Sequence, residues 1–156
     1  MQHHQYKAAE EALNALFGDG LAPQSANAVV ALARCQLALE NADQAHQTYH
    51  HILEHLKTTD DAAKGEATLV LGHPKKALSF FEISKSKSPH SPELLFLIAL
   101  TEYKLGFLKD AKENLTRAVN LGFEWEDEDP VDWVVQEVLP TRDFHDLEHL
   151  YLDAYE

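Results

Sequence analysis

The sequence has little of what secreted, membrane-spanning or zinc-finger proteins require. Cys35 is the single cysteine among 156 residues, so neither an intramolecular disulfide nor a zinc site built from cysteines can form. The longest uninterrupted apolar run, Leu94 to Leu100, is shorter than the roughly 20 residues that a membrane-spanning helix needs. Residues 1–7 are polar and lack the apolar stretch of a secretory signal. These absences predict a soluble, cytoplasmic protein without membrane insertion.

Positive charge is also scarce, most of all near the C-terminus. The chain has 13 Lys and Arg against 26 Asp and Glu, which gives a formal net charge of −13. Residues 124–156 contain 12 of the acids and one base, Arg142. Since phosphate binding needs clustered Lys and Arg, we expect no nucleic-acid partner. We predict that the acidic stretch from Glu124 to Asp132 is a solvated loop, with docking of a basic partner and calcium binding as alternatives.

The residue patterns of catalysis and of cofactor binding are missing. No nucleophile, base and acid stand in a recognisable arrangement, and no phosphate-binding loop is present. The glycines at 18–20 lack the preceding strand and the further glycine of a dinucleotide-binding fingerprint. The sequence therefore predicts a protein that is not an enzyme and has no cofactor.

Histidine is the one potential metal ligand in good supply, with ten residues. Three pairs are spaced four apart and so share a helix face, namely His46 and His50, His51 and His55, and His145 and His149. Zinc needs three or four ligands, and the first two pairs are rotated away from each other on an ideal helix. We predict surface histidines and no metal site, and a His-rich metal-binding protein remains an alternative.

What the sequence does contain is a repeat of small, bulky and turn-forming residues. Two stretches, starting at Thr58 and Pro92, share this pattern at a separation of 34 residues. A glycine ends each first helix, and small residues allow two helices to approach closely. The stretch from Ala26 is similar, but Glu40 stands where the others have the turn glycine. The marker residues are Gly65, Gly72, Ala77, Phe81, Ser84 and Pro89 in one stretch, and Ala99, Gly106, Ala111, Leu115, Ala118 and Phe123 in the other.

This pattern resembles the tetratricopeptide repeat, a helical hairpin of 34 residues. The resemblance implies an all-α superhelix of stacked hairpins, an α-solenoid, forming a single domain over residues 1–156. The N-terminal half-unit at 1–22 lacks its first helix, so it is either a cap or the sign that the chain is a fragment. The other units are hairpins at 26–57, 58–91 and 92–123, followed by the acidic loop and two capping helices at 124–156.

The resemblance also implies a function, that of a non-catalytic adaptor or scaffold. Such repeats bind a peptide or a helix of a partner protein in the concave groove, which the first helix of each hairpin lines. We expect the double substitution of Phe96 and Tyr103 by alanine to abolish partner capture. The predicted groove residues are Val30, Arg34, Leu37, Glu66, Leu69, Phe96, Leu100, Tyr103 and Lys104.

Three further expectations concern that groove and its surroundings. The Lys and Asn residues with which some family members clamp a carboxylate are missing, so binding of a chaperone C-terminus is disfavoured. The groove residues could instead pack against the terminal helices. Self-association through apolar surface near residues 6–17 is the alternative role.

Overall fold

The computed structural model describes residues 2–17, 26–54, 60–126 and 129–155. Within these ranges the regular structure is entirely helical, which confirms the predicted all-α class. No helix there is both long and apolar enough to cross a membrane. The glycines at 18 and 20, His55 and the acids at 127 and 128 lie outside the described residues. The helices are α1 (Gln2–Phe17), α2 (Ala26–Ala38), α3 (Ala42–Glu54), α4 (Asp61–Val70), α5 (Pro74–Lys87), α6 (Pro92–Lys104), α7 (Leu108–Asn120), α8 (Pro130–Val138) and α9 (Thr141–Asp153).

The helices from α2 to α7 form three hairpins that stack in chain order. Helix α2 packs against α3, α4 against α5, and α6 against α7. The second helix of each hairpin then packs against the first helix of the next. Helices α2, α4 and α6 also touch in sequence, so the three first helices form a row along one face. The resemblance to the tetratricopeptide repeat implies that this row lines the concave face.

The turn inside each hairpin has the same hydrogen-bonded geometry, although one of the three lacks glycine. In the second hairpin the Gly72 N–H donates to the Leu69 carbonyl, and the following N–H donates back to the Thr68 carbonyl. This pair of hydrogen bonds is typical of a helix end at which the residue that donates the first bond has a left-handed backbone conformation. Gly72 accordingly has a φ of +95°. Glu40 occupies the equivalent place with a φ of +60°, so a non-glycine residue there adopts the conformation that favours glycine.

Close packing between α4 and α5 depends on the absence of a side chain at Gly65. A Cβ at this position would lie 2.6 Å from a ring carbon of Phe81, closer than such atoms approach. Phe81 is fully buried, so there is no open space into which its ring could move. Gly65 therefore lets an aromatic ring fill the space that the repeat pattern reserves for it.

The contact between α6 and α7 contains a buried carboxyl group. Glu102 is almost fully buried and accepts a hydrogen bond of 2.7 Å from the Asn114 amide. Burial raises the pKa of Glu102, and the nearby carboxylates of Asp110 and Glu82 raise it further, against the hydrogen bond and Lys85. The environment of Glu102 in the folded protein therefore favours the protonated form of its carboxyl group.

The last two helices, α8 and α9, pack against different helices of the stack. Helix α9 packs against α7 and α8, while α8 packs against α2 and α4, inside the row of first helices. The apolar side of α8 is buried there, with Val134 and Val135 fully covered. On its other side Trp133 meets the ring of Tyr6 edge-on, at 6.2 Å between centroids. Helix α8 thereby fills part of the concave groove.

Candidate functional site

Four of the nine predicted groove residues are buried in the core. Leu37 and Leu69, near the C-terminal ends of α2 and α4, are buried in the core that α8 completes. Phe96 and Leu100 on α6 have no exposed surface at all. These side chains do not contact solvent, so the expectation that they contact a partner is not met in this conformation. Phe96 packs against Phe123 and Trp125, as the alternative of packing against the terminal segments expects.

The covering of Phe96 comes from the acidic loop, which contains an aromatic anchor. Phe96 stacks on Phe123 at 4.3 Å and lies 5.3 Å from the ring of Trp125. The Trp125 indole N–H donates to the buried carboxylate of Asp132 at 2.7 Å, and its backbone N–H donates to the Tyr151 hydroxyl at 2.8 Å. The loop is therefore docked through Trp125, and the prediction that it is only solvated is wrong at that residue.

Tyr103 and Lys104 lie at the C-terminal end of α6 and are not among the residues that line the cavity around Val30. Tyr103 is half-buried, and burial raises its pKa, with further contributions from Asp146 and Asp143 on α9. Lys104 is exposed. The structure therefore separates these two residues from Val30 and the N-terminal part of the concave face.

The remaining three predicted residues, Val30, Arg34 and Glu66, line an open cavity of about 520 Å³. It lies on the part of the concave face that α8 leaves uncovered. Sequence reasoning missed the walls contributed by α1 and by the start of α8, because no local pattern shows which distant helix completes a groove. Its further walls include Tyr6 and Ala9 of α1, Ala31 of α2, Ala62 of α4, Leu97 of α6 and Pro130 of α8.

The floor of this cavity is a buried ion pair between consecutive hairpins. The Arg34 Nε donates to Glu66 Oε2 at 2.9 Å, and its Nη2 donates to Glu66 Oε1 and, at 2.7 Å, to Glu93 Oε1. Burial alone would lower the pKa of Arg34, but the two carboxylates outweigh it and raise the pKa. Arg34 stays charged, so the guanidinium fixes three first helices to one another.

Tyr49 adds a further hydrogen bond to the network of Arg34, Glu66 and Glu93. Its hydroxyl donates to Glu66 Oε2 at 2.7 Å, and the residue is fully buried. Burial and the negative charge of Glu66 raise the Tyr49 pKa well above its ordinary value, so the hydroxyl keeps its proton. Arg34 and Glu66 stand at equivalent places of successive hairpins, 32 residues apart. Opposite charges at repeated positions were the sequence signal that could have revealed this pair.

The histidine pairs that raised the metal alternative are spread over the surface. His46 lies 3.1 Å from Glu137, His50 lies 3.6 Å from Glu54, and His145 lies 3.8 Å from Glu148. Over the ranges that the structure describes, no group of three or more His, Cys, Asp or Glu side chains could hold a metal ion. These histidines have single carboxylate neighbours, which does not make a tetrahedral shell.

The stacked hairpins, the shared turn geometry and the open cavity on the row of first helices define a helical-repeat protein. The sequence model of the family described as tetratricopeptide repeat matches residues 1–69, from α1 into α4. This match agrees with the resemblance to the tetratricopeptide repeat that the residue pattern indicated. No curated protein and no solved structure matches it. Repeats of this family commonly mediate protein–protein interaction and are generally non-catalytic.

Proposed function

We propose that this protein is a non-catalytic adaptor that binds a peptide or helix of a partner protein in the cavity between α1, α2, α4 and α6. The observation that carries the proposal is the cavity itself, about 520 Å³ in volume and open on the concave face. Its walls combine apolar side chains, such as Val30 and Leu97, with a fixed charged network at Arg34. Ligand sites in proteins combine apolar walls with few placed polar groups in the same way.

The position of α8 limits how a partner can bind. Helix α8 packs against α2 and α4 and so occupies part of the row of first helices. Its valines are buried there, so leaving the groove would expose a fully packed apolar surface. We therefore propose that a partner inserts one or two apolar side chains into the open cavity, and does not lie along the whole groove.

Filling the cavity tests this proposal directly. Ala31 is exposed and lines the cavity, so the substitution Ala31→Trp places an indole in the binding space without touching the core. The matched control is Ala12→Trp, because Ala12 is equally exposed on a helix and is not among the cavity's lining residues. The tagged protein is used to capture partners from a cell extract, with helix content checked by circular dichroism.

We expect Ala31→Trp to remove specifically captured proteins that the native chain and Ala12→Trp both retain. Capture that is unchanged by Ala31→Trp would place the site elsewhere. The double substitution of Phe96 and Tyr103 cannot serve here, since Phe96 is buried beneath Trp125 and its loss would disturb the fold.

A further inference from the structure

A second cleft opens directly from the proposed binding cavity and is acidic. This cleft, about 490 Å³ in volume, shares Arg34, Glu93 and Pro130 with the cavity. Its remaining lining includes the carboxylates of Glu124 and Asp129, on the segment that leads into α8. The two spaces therefore form one continuous surface with an apolar end and an acidic end.

The charges along this surface do not balance. Among the described residues that line the two spaces, Arg34 is the one base, and Glu66, Glu93, Glu124 and Asp129 are the acids. Glu66 is buried and takes two hydrogen bonds from Arg34, so it neutralises the guanidinium. Three carboxylates remain, which leaves a local excess of negative charge. An acidic peptide or a free carboxyl terminus would be repelled here.

The three remaining carboxylates are accessible to a partner. Half of the Glu93 side chain is exposed, and Arg34 contacts only its Oε1. Glu124 is exposed. Asp129 stands at the N-cap of α8, yet its side chain makes no capping hydrogen bond. Glu124 is therefore exposed, Asp129 is partly exposed, and Glu93 is exposed apart from its contact with Arg34.

We propose that the partner segment carries a Lys or Arg side chain adjacent to its apolar anchor. The anchor enters the cavity beside Val30 and Leu97, and the cation pairs with Glu124 and Asp129 in the cleft. This inference rests on the proposed function, which names the cavity as the binding site. It adds the chemistry of the partner, a basic and apolar protein segment, for which the surface is complementary in both charge and shape.

Three fluorescent peptides of one length serve as probes in anisotropy titrations at low and at physiological salt. One alternates Lys and Leu to form an amphipathic helix, the second has Glu in place of Lys, and the third has Ser in place of Leu. The double variant Glu124→Gln with Asp129→Asn removes two cleft charges without touching Arg34. The matched control, Glu113→Gln with Asp153→Asn, removes two charges from exposed positions on α7 and α9.

We expect the Lys and Leu peptide to bind most tightly, and Ala31→Trp to abolish its binding. Neutralising the cleft should weaken this binding about 5-fold at low salt and less at high salt, since each exposed pair contributes modestly and is screened. The control substitutions Glu113→Gln and Asp153→Asn should change the affinity for this peptide by less than about 2-fold, because neither residue lines the cavity or the cleft. A failure of all three peptides to bind contradicts the inference.

The remaining outcomes separate this inference from the proposed function. If the Glu and Leu peptide binds more tightly and Ala31→Trp abolishes that binding, the cavity binds peptides and the basic partner is wrong. If both charge-neutralised variants weaken the Lys and Leu peptide equally, the attraction is to the overall charge and the cleft is not a site. If Ala31→Trp changes no peptide's binding, the proposed function fails together with the inference.

Discussion

Replacing Glu40 by glycine is expected to stabilise the protein, because the backbone there adopts a conformation that glycine accommodates better. The left-handed φ of +60° at Glu40 costs a side-chain-bearing residue about 1–2 kcal/mol. Glycine relieves this strain, but the greater conformational freedom of its unfolded chain offsets about 0.5–1 kcal/mol of the gain in stability. The exposed Glu40 side chain has no hydrogen bond or ion pair with the residues that the structure describes. The net gain should therefore be about 0.5–1 kcal/mol.

Urea denaturation followed by circular dichroism measures this gain, with two companion variants. Glu40→Ala removes the carboxylate and keeps the backbone strain, so its free energy of unfolding should stay close to that of the native protein. Gly72→Ala is the reverse change, at a turn of φ +95° where a Cβ would meet no neighbour, and it should cost about 1 kcal/mol. A Glu40→Gly variant no more stable than Glu40→Ala would refute the reasoning.

Three further substitutions test the packing and the buried polar groups. Gly65→Ala should lower the free energy of unfolding by about 1–2 kcal/mol in urea denaturation, since the clash with Phe81 outweighs the better helix propensity of alanine. Tyr49→Phe should cost about 1.5–3 kcal/mol in the same assay, because a charged, buried Glu66 loses a hydrogen bond. Glu102→Gln should raise the melting temperature at pH 7. The folded-state pKa of Glu102 is raised, so its contribution to stability is complete below the unfolded-state pKa and is lost as the pH rises through the folded-state pKa. The gain from Glu102→Gln should therefore shrink towards acidic pH.

The helical hairpins could be predicted because their signals are local. Apolar residues recur at helical spacing, and Gly72 and Pro74 mark the end of one helix and the start of the next. Glu40 shows the limit of such signals. The sequence has no glycine there, yet the turn still forms with its two hydrogen bonds, because the packing of α2 against α3 imposes it.

The placement of α8 could not be predicted from the sequence. The valines at 131, 134, 135 and 138 indicate one buried helix face, but a stripe of valines does not say which surface covers it. Helix α8 could have extended the stack, and it lies instead against α2 and α4. The repeat pattern therefore predicts partner contact for Phe96 and Leu100, whereas the structure buries both in the core of this chain.

Site-specific photo-crosslinking is the most direct test of the central claim, that partners bind in the cavity that α8 leaves open. A photoreactive benzoylphenylalanine replaces Gln5, an exposed residue of α1 that lines the cavity, or Lys104, an exposed residue of the sequence-predicted groove near the C-terminal end of α6. We predict a crosslinked partner from position 5 and none from position 104. Crosslinking from position 104 alone would contradict it.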